Sequence, residues 1–196
     1  MDAFEQIVAL ILDGEGYWTR TSFKVDLTKE EKRIIGRPSS PRWEIDLIAY
    51  RPADNLLLAV ECKSYLDSLG VDPKDLLPDG KSASRYKLFN DKTLREIVLN
   101  RLSMQLMDMG MAVQTPQAKL CLAAGKTLPN VEEVIEKQLA EQGHEFYGPR
   151  RIFEWLLKMA DRGYENEVAT VVAKIIWRNP QLAEFIAQKS KAAKVA

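Results

Sequence analysis

At 196 residues, with 46% hydrophobic and 29% charged positions, the chain can bury one core and carry an appendage. Its 28 basic residues balance 28 acidic ones, so any polyanion binding has to come from a local patch rather than from overall charge. One histidine, His144, argues against a zinc centre or a histidine-based triad and leaves carboxylates as the natural ligands for a metal.

The N-terminal "MDAFEQ" is acidic and lacks the basic region of a signal peptide. No apolar run approaches the ~18 residues that span a bilayer, so no membrane partner is expected. Apolar residues at 4, 7, 8, 11 and 12 predict a first helix, ended by Gly14-Glu15-Gly16. "YWTRTSFKVDL" predicts a first strand, and residues 28–41 a polar connection. "RWEIDLIAY" and "NLLLAVECK" predict two further strands joined by the turn-like "RPADN". Residues 64–90 form a polar insertion with no clean period. Asp91 then caps a helix predicted to reach about residue 112, and "AKLCLAAG" is a buried strand. A helix over 130–142 and an edge strand at "HEFYG" complete the first part. Cys62 and Cys121 lie in apolar strands and are read as reduced thiols of a cytoplasmic protein.

From Pro149 the pattern is helical, interrupted at Gly163 and at Asn179-Pro180, and the closing "QKSKAAKVA" is expected to fray. These boundaries give a domain over residues 1–148 and a helical extension over 149–196. The order α-β-β-β-α-β-α-β, with a hairpin at strands two and three, predicts a mixed sheet rather than a doubly wound parallel one.

Chemistry gathers on that hairpin. Side chains alternate along a strand, so Glu61 and Lys63 share a face while Cys62 points away. If residues 52–55 form the loop, Asp46 lies opposite Glu61, roughly 5 Å away. Two carboxylates that close repel unless a cation stands between them, and a hard divalent ion with oxygen ligands is the simplest remedy. Lys63 would stand beside that ion, able to orient water or to offset phosphate charge.

Asp46 followed by Glu61-Cys62-Lys63 at the end of an apolar strand resembles the PD-(D/E)xK nuclease superfamily. The resemblance covers about two thirds of the chain. It implies a restriction-endonuclease-like α/β core of order α-β-β-β-α-β, here with a C-terminal helical extension. It also implies a Mg²⁺- or Mn²⁺-dependent nuclease, acting on DNA rather than RNA, with Asp46 and Glu61 as ligands and the Cys62 carbonyl as a further one. Lys63 would position the attacking water. Glu5, on the first helix, matches the upstream glutamate of the family. Arg101 and Gln105, one turn apart on the following helix, match its site-facing basic or amide residues. Ile45 stands where the motif name has proline.

The bare string is weak: with Glu and Lys each at about 6% of residues, Glu-x-Lys should occur by chance about 0.7 times in a chain of this length. Glu30–Lys32 is such a chance match and Asp72–Lys74 an Asp-x-Lys counterpart, and neither follows an apolar strand. Between Lys81 and Arg101 six basic residues meet two acids, with Tyr86 and Phe89 interleaved. That mixture marks Arg85, Tyr86 and Lys87 as candidates for nucleic-acid contact. Apolar stripes in the C-terminal helices suggest a homodimer. Two alternatives stand beside the nuclease: an inactive nucleic-acid-binding or assembly module of the same fold, and an interaction protein whose acids form a rim pair.

Overall fold

The structure, a computed structural model, describes residues 2–39, 42–182 and 185. The chain divides into two compact units with the boundary between Pro149 and Arg150. The first is an α/β unit built on a five-stranded mixed sheet of order β1-β2-β3-β4-β5.

Helix α1 (Ala3–Gly14) opens with a capping box in which the Asp2 side chain and Glu5 satisfy each other's backbone N–H groups. Strand β1 (Trp18–Val25) follows. Within the predicted polar connection lies a short helix, α2 (Lys29–Ile34), capped by Thr28 and Glu31. Strands β2 (Trp43–Arg51) and β3 (Leu56–Lys63) form the expected hairpin, in register from Arg51–Leu56 to Leu47–Val60. β1 pairs antiparallel with β2, whereas β4 (Gln117–Ala124) and β5 (Glu145–Tyr147) add in parallel beyond β3.

β3 is the central strand, and Leu57, Leu58, Ala59 and Val60 are fully buried because both sheet faces are covered. On one face Leu57 and Ala59 join Ile48, Tyr50, Leu120 and Leu122 in a core closed by α4 (Lys92–Asp108) and α5 (Glu132–Glu141). On the other, α1 packs on β1, β2 and β3 through Phe4, Val8, Ile11 and Leu12.

The polar insertion is more ordered than its composition suggests. It forms two 3₁₀ turns, Pro73–Leu76 and Ala83–Arg85, and the single-turn helix α3 (Lys87–Asn90). Its scattered apolar residues Val71, Leu76, Tyr86, Leu88 and Phe89 are all core. Without a helical or strand period, that anchoring is invisible to pattern reading.

The second unit contains α6 (Pro149–Asp161) and α7 (Val168–Trp177). The "QKSKAAKVA" tail lies outside the described residues. Among the described residues, no helix is long and apolar enough to cross a membrane.

Candidate active site

The hairpin zips from its turn to Leu47–Val60 and then opens. Asp46 is therefore not a ladder partner of Glu61, as simple register continuation predicts. Its carboxylate Oδ2 instead accepts the Cys62 N–H at 2.8 Å. The side chain replaces the backbone acceptor that the parting strand withdraws, because a half-buried N–H left unpaired is costly.

A second irregularity lies on the opposite side of Asp46. Thr21 pairs with Leu47 and Phe23 with Ile45, but Ser22 and Asp46 between them do not pair. Ser22 is in the left-handed region, φ 50°, where a non-glycine residue is strained. The face alternation slips by one there: Ile45 and Ile48, three residues apart, lie in the same core cluster. Paired distortions of this sort re-aim a side chain out of the sheet. Nothing in "TRTSFKV" announces it.

Glu61 and Lys63 share a face as predicted, with Nζ 3.4 Å from Oε2 and both side chains about five-sixths covered (16% and 17% exposed). Burial pushes the Glu61 carboxyl above its ordinary range; Lys63 opposes this, and the Asp46 charge adds to it. Burial likewise raises Glu5, whose electrostatic neighbours include Asp46. Asp46 thus lies within electrostatic reach of both Glu61 and Glu5, and Lys63 is paired with Glu61. In this arrangement the Glu5 carboxylate is turned back to the Asp2 N–H at 3.3 Å. The Lys63 carbonyl accepts the Gly125 N–H on the β4 side. The preceding carbonyl, that of Cys62, accordingly points to the β2 side, where Asp46 stands. Burial, then the nearby Asp46 charge, raises the Cys62 thiol, which makes it an inert neighbour rather than a nucleophile.

Among the described residues, no three His, Cys, Asp or Glu side chains group closely enough to hold a metal by themselves. The oxygen donors at hand are two carboxylates and a backbone carbonyl.

Several expected contributors are placed otherwise. Arg101 does not reach this cluster: its guanidinium grips Glu31 in a two-pronged ion pair, 2.6 and 3.1 Å, that ties α4 to α2. Gln105 accepts the Asp26 N–H and donates to the Lys24 carbonyl, latching the end of β1 onto α4. Both stand on the helix α4, one turn apart, but their side chains answer to β1 and α2. Tyr86 is 1% exposed and offers no face to a base. Its ring instead lies under Lys63, 6.0 Å from Nζ to centroid, and its buried hydroxyl has no hydrogen-bond partner among the described residues. Arg85 and Lys87 are exposed, as a phosphate contact requires. Arg95, another of the six basic residues, donates to the Leu88 and Phe89 carbonyls and so caps α3.

Compared with known proteins, the chain matches no family model, no curated protein and no solved structure.

Proposed function

We propose that the chain is a metal-dependent phosphodiesterase of the PD-(D/E)xK kind, an endonuclease acting on DNA in preference to RNA, with its first unit a restriction-endonuclease-like domain. One observation carries the reading. At the open end of the hairpin, Asp46 is anchored on the Cys62 N–H beside a desolvated Glu61 paired with Lys63. A rim pair in water would show neither the burial nor the anchoring.

The residues fit a hard divalent ion, Mg²⁺ or Mn²⁺. Asp46 keeps one oxygen outside its hydrogen bond, Glu61 carries a carboxylate that burial penalises, and the Cys62 carbonyl faces the same side. Glu5 would contribute once it releases the Asp2 N–H. Such an ion polarises a phosphoryl oxygen and acidifies water. Lys63, released from Glu61, would hold the attacking water by its ammonium and face the phosphate charge. Tyr86 beneath it keeps that ammonium from retreating into the core. Arg85 and Lys87 would meet the DNA backbone.

The test is cleavage of supercoiled, linear and branched DNA with Mg²⁺ or Mn²⁺ against EDTA, by wild type, Glu61→Gln and Lys63→Met. Divalent-dependent cutting that falls at least ~100-fold in both variants, with melting curves preserved, is the expected result. A second reading, the non-catalytic nucleic-acid-binding or assembly module, is favoured by the absence of a three-side-chain metal group among the described residues. No cutting, together with no Mn²⁺ binding even with DNA present, would establish it instead.

A second copy of the chain is the partner proposed for α7. Val168, Val171, Val172, Ile175, Ile176 and Trp177 each leave 40–77% of their surface exposed. Covering such half-exposed side chains would stabilise by about 1 kcal/mol each. Sedimentation that shows a monomer at high concentration would remove this partner.

A further inference from the structure

The insertion between β3 and α4 does more than link them. Val71 forms a parallel bridge to Thr127, donating to the Lys126 carbonyl and accepting from the Leu128 N–H at 3.0 Å each. The Lys126 ammonium bonds the Ser68 carbonyl. Gly70, at φ 104°, passes so close to Thr127 that a Cβ would stand 2.5 Å from its backbone, and Gly80 passes equally close to the Lys74 carbonyl. Asp75 accepts the Ser82 N–H at 2.9 Å, and Asn90 donates to the Ala83 carbonyl at 2.8 Å. The segment is a fastened ring, and it encloses a cleft of about 800 Å³.

The lining has two characters. Leu69, Leu77 and Leu128 supply apolar surface, and Leu69 is 81% exposed. Lys74, Lys81 and Arg85 supply three cations, none of them in an ion pair among the described residues. Two of the acids in the wall are turned onto backbone: Asp72 accepts the Lys74 N–H and Asp75 the Ser82 N–H. Asp79 is left as the one carboxylate of the wall without such a bond among the described residues. The cleft also adjoins the candidate catalytic cluster. Tyr65, in its wall, follows Lys63 by two residues, and Arg85 precedes Tyr86, on which Lys63 rests.

We infer that this cleft receives one unpaired nucleotide of the substrate strand, its base against the leucines and its phosphate met by Lys81 and Arg85. The inference rests on the phosphodiesterase reading and narrows it. A base inside a continuous duplex is stacked and cannot enter a walled cleft, so the preferred substrate is DNA with a single-stranded end or branch beside the cut. The volume suits such an occupant, since pockets for ligands of this size span ~300–1,000 Å³.

Binding is measured by fluorescence anisotropy on the full chain in EDTA, which separates recognition from cutting. The probes are a blunt hairpin duplex, the same duplex with a three-nucleotide overhang at either end, and a deoxynucleoside monophosphate as competitor. The overhang duplex is expected to bind at least ~10-fold tighter than the blunt one at one fixed salt concentration. Leu69→Glu and Lys81→Glu, both at exposed positions and checked by melting, are expected to bring that ratio close to one. Equal affinity for blunt and overhang DNA in the wild type overturns the inference, as does an unchanged ratio in both variants. Competition by the free monophosphate as strong as by the overhang DNA assigns the cleft to a free nucleotide and overturns the substrate-strand assignment. Overhang preference without cutting in Mg²⁺ or Mn²⁺ upholds the cleft and sinks only the catalytic reading.

Discussion

Replacing Asp46 separates the two jobs its carboxylate performs. In the absence of metal it holds the Cys62 N–H at 2.8 Å in a partly buried site, and a hydrogen bond to a charged group contributes ~1.5–3 kcal/mol. Asp46 also repels Glu61 and Glu5, since its charge helps to raise both carboxyls, and removing it recovers part of that loss. Asp46→Ala should therefore destabilise by about 1–2 kcal/mol in EDTA, which for a chain of this size is a fall of roughly 2–8 °C in Tm. Asp46→Asn keeps an acceptor for the N–H and sheds the repulsion, so it should match or exceed the wild type. With Mn²⁺ at 100 times its Kd the wild type should gain about 2.7 kcal/mol, and neither variant should gain comparably. Thermal melts of the three proteins in EDTA and in Mn²⁺ read all of this. If Ala and Asn melt together in EDTA, the Asp46–Cys62 bond does not stabilise the fold. If Asn retains the full Mn²⁺ shift, Asp46 is not a ligand.

Glu61→Gln should leave metal-free stability unchanged or raised at neutral pH, because the ionised carboxylate is the form that burial penalises; a loss of more than ~2 kcal/mol would contradict this. The same upward shift means that Mn²⁺ affinity should weaken, with proton release on binding, as pH falls into the range where Glu61 takes up its proton, which calorimetry in two buffers detects. Ser22→Gly should hold or raise stability by up to about 1 kcal/mol, since glycine accepts a positive φ, whereas Ser22→Val should destabilise and weaken Mn²⁺ binding by turning Asp46 back towards the ladder. Equal Mn²⁺ affinity in both would separate the strain from the site. His144, half-buried against the Phe89 ring, is lowered from 6.5 to about 4 by burial first and by Arg95 second. A histidine depressed in the folded state supports stability above its unfolded value, and that support is lost as pH falls from about 6.5 to about 4, by at most ~1.4 kcal/mol per unit. His144→Gln should flatten this limb of a denaturation-against-pH curve, and an unaltered limb would point to other groups.

The strands and their pairing were readable because they rest on local signals. A two-faced apolar run marks the central strand, alternation marks its neighbour, and "RPADN" sets the register, which holds as far as Leu47–Val60. The gathering of Asp46, Glu61 and Lys63 at one strand end followed from the same rules. The detail of Asp46 did not, because it depends on a break in two strands at once, and the cause is a serine in a conformation its type does not advertise. The capping box of α2 was present in the sequence as Thr28 and Glu31, and the surrounding charges obscured it. Arg101, Gln105 and Tyr86 were assigned by position along the chain. Their real partners, Glu31, Asp26, Lys24 and the core, are up to 81 residues away, where no periodicity reaches.

The break at Ser22 has a second effect, on the outside of the sheet. β1 is an edge strand, and a long regular edge is a template on which another chain can add a strand. With Ser22 at φ 50°, the edge is cut into two short pieces, and the exposed Arg20 and Lys24 flank the cut. An incoming strand would find only three or four residues in register on either side, short of the roughly five or six that strands most often have. The irregularity beside Asp46 thereby also blunts this edge of the sheet against the addition of another strand.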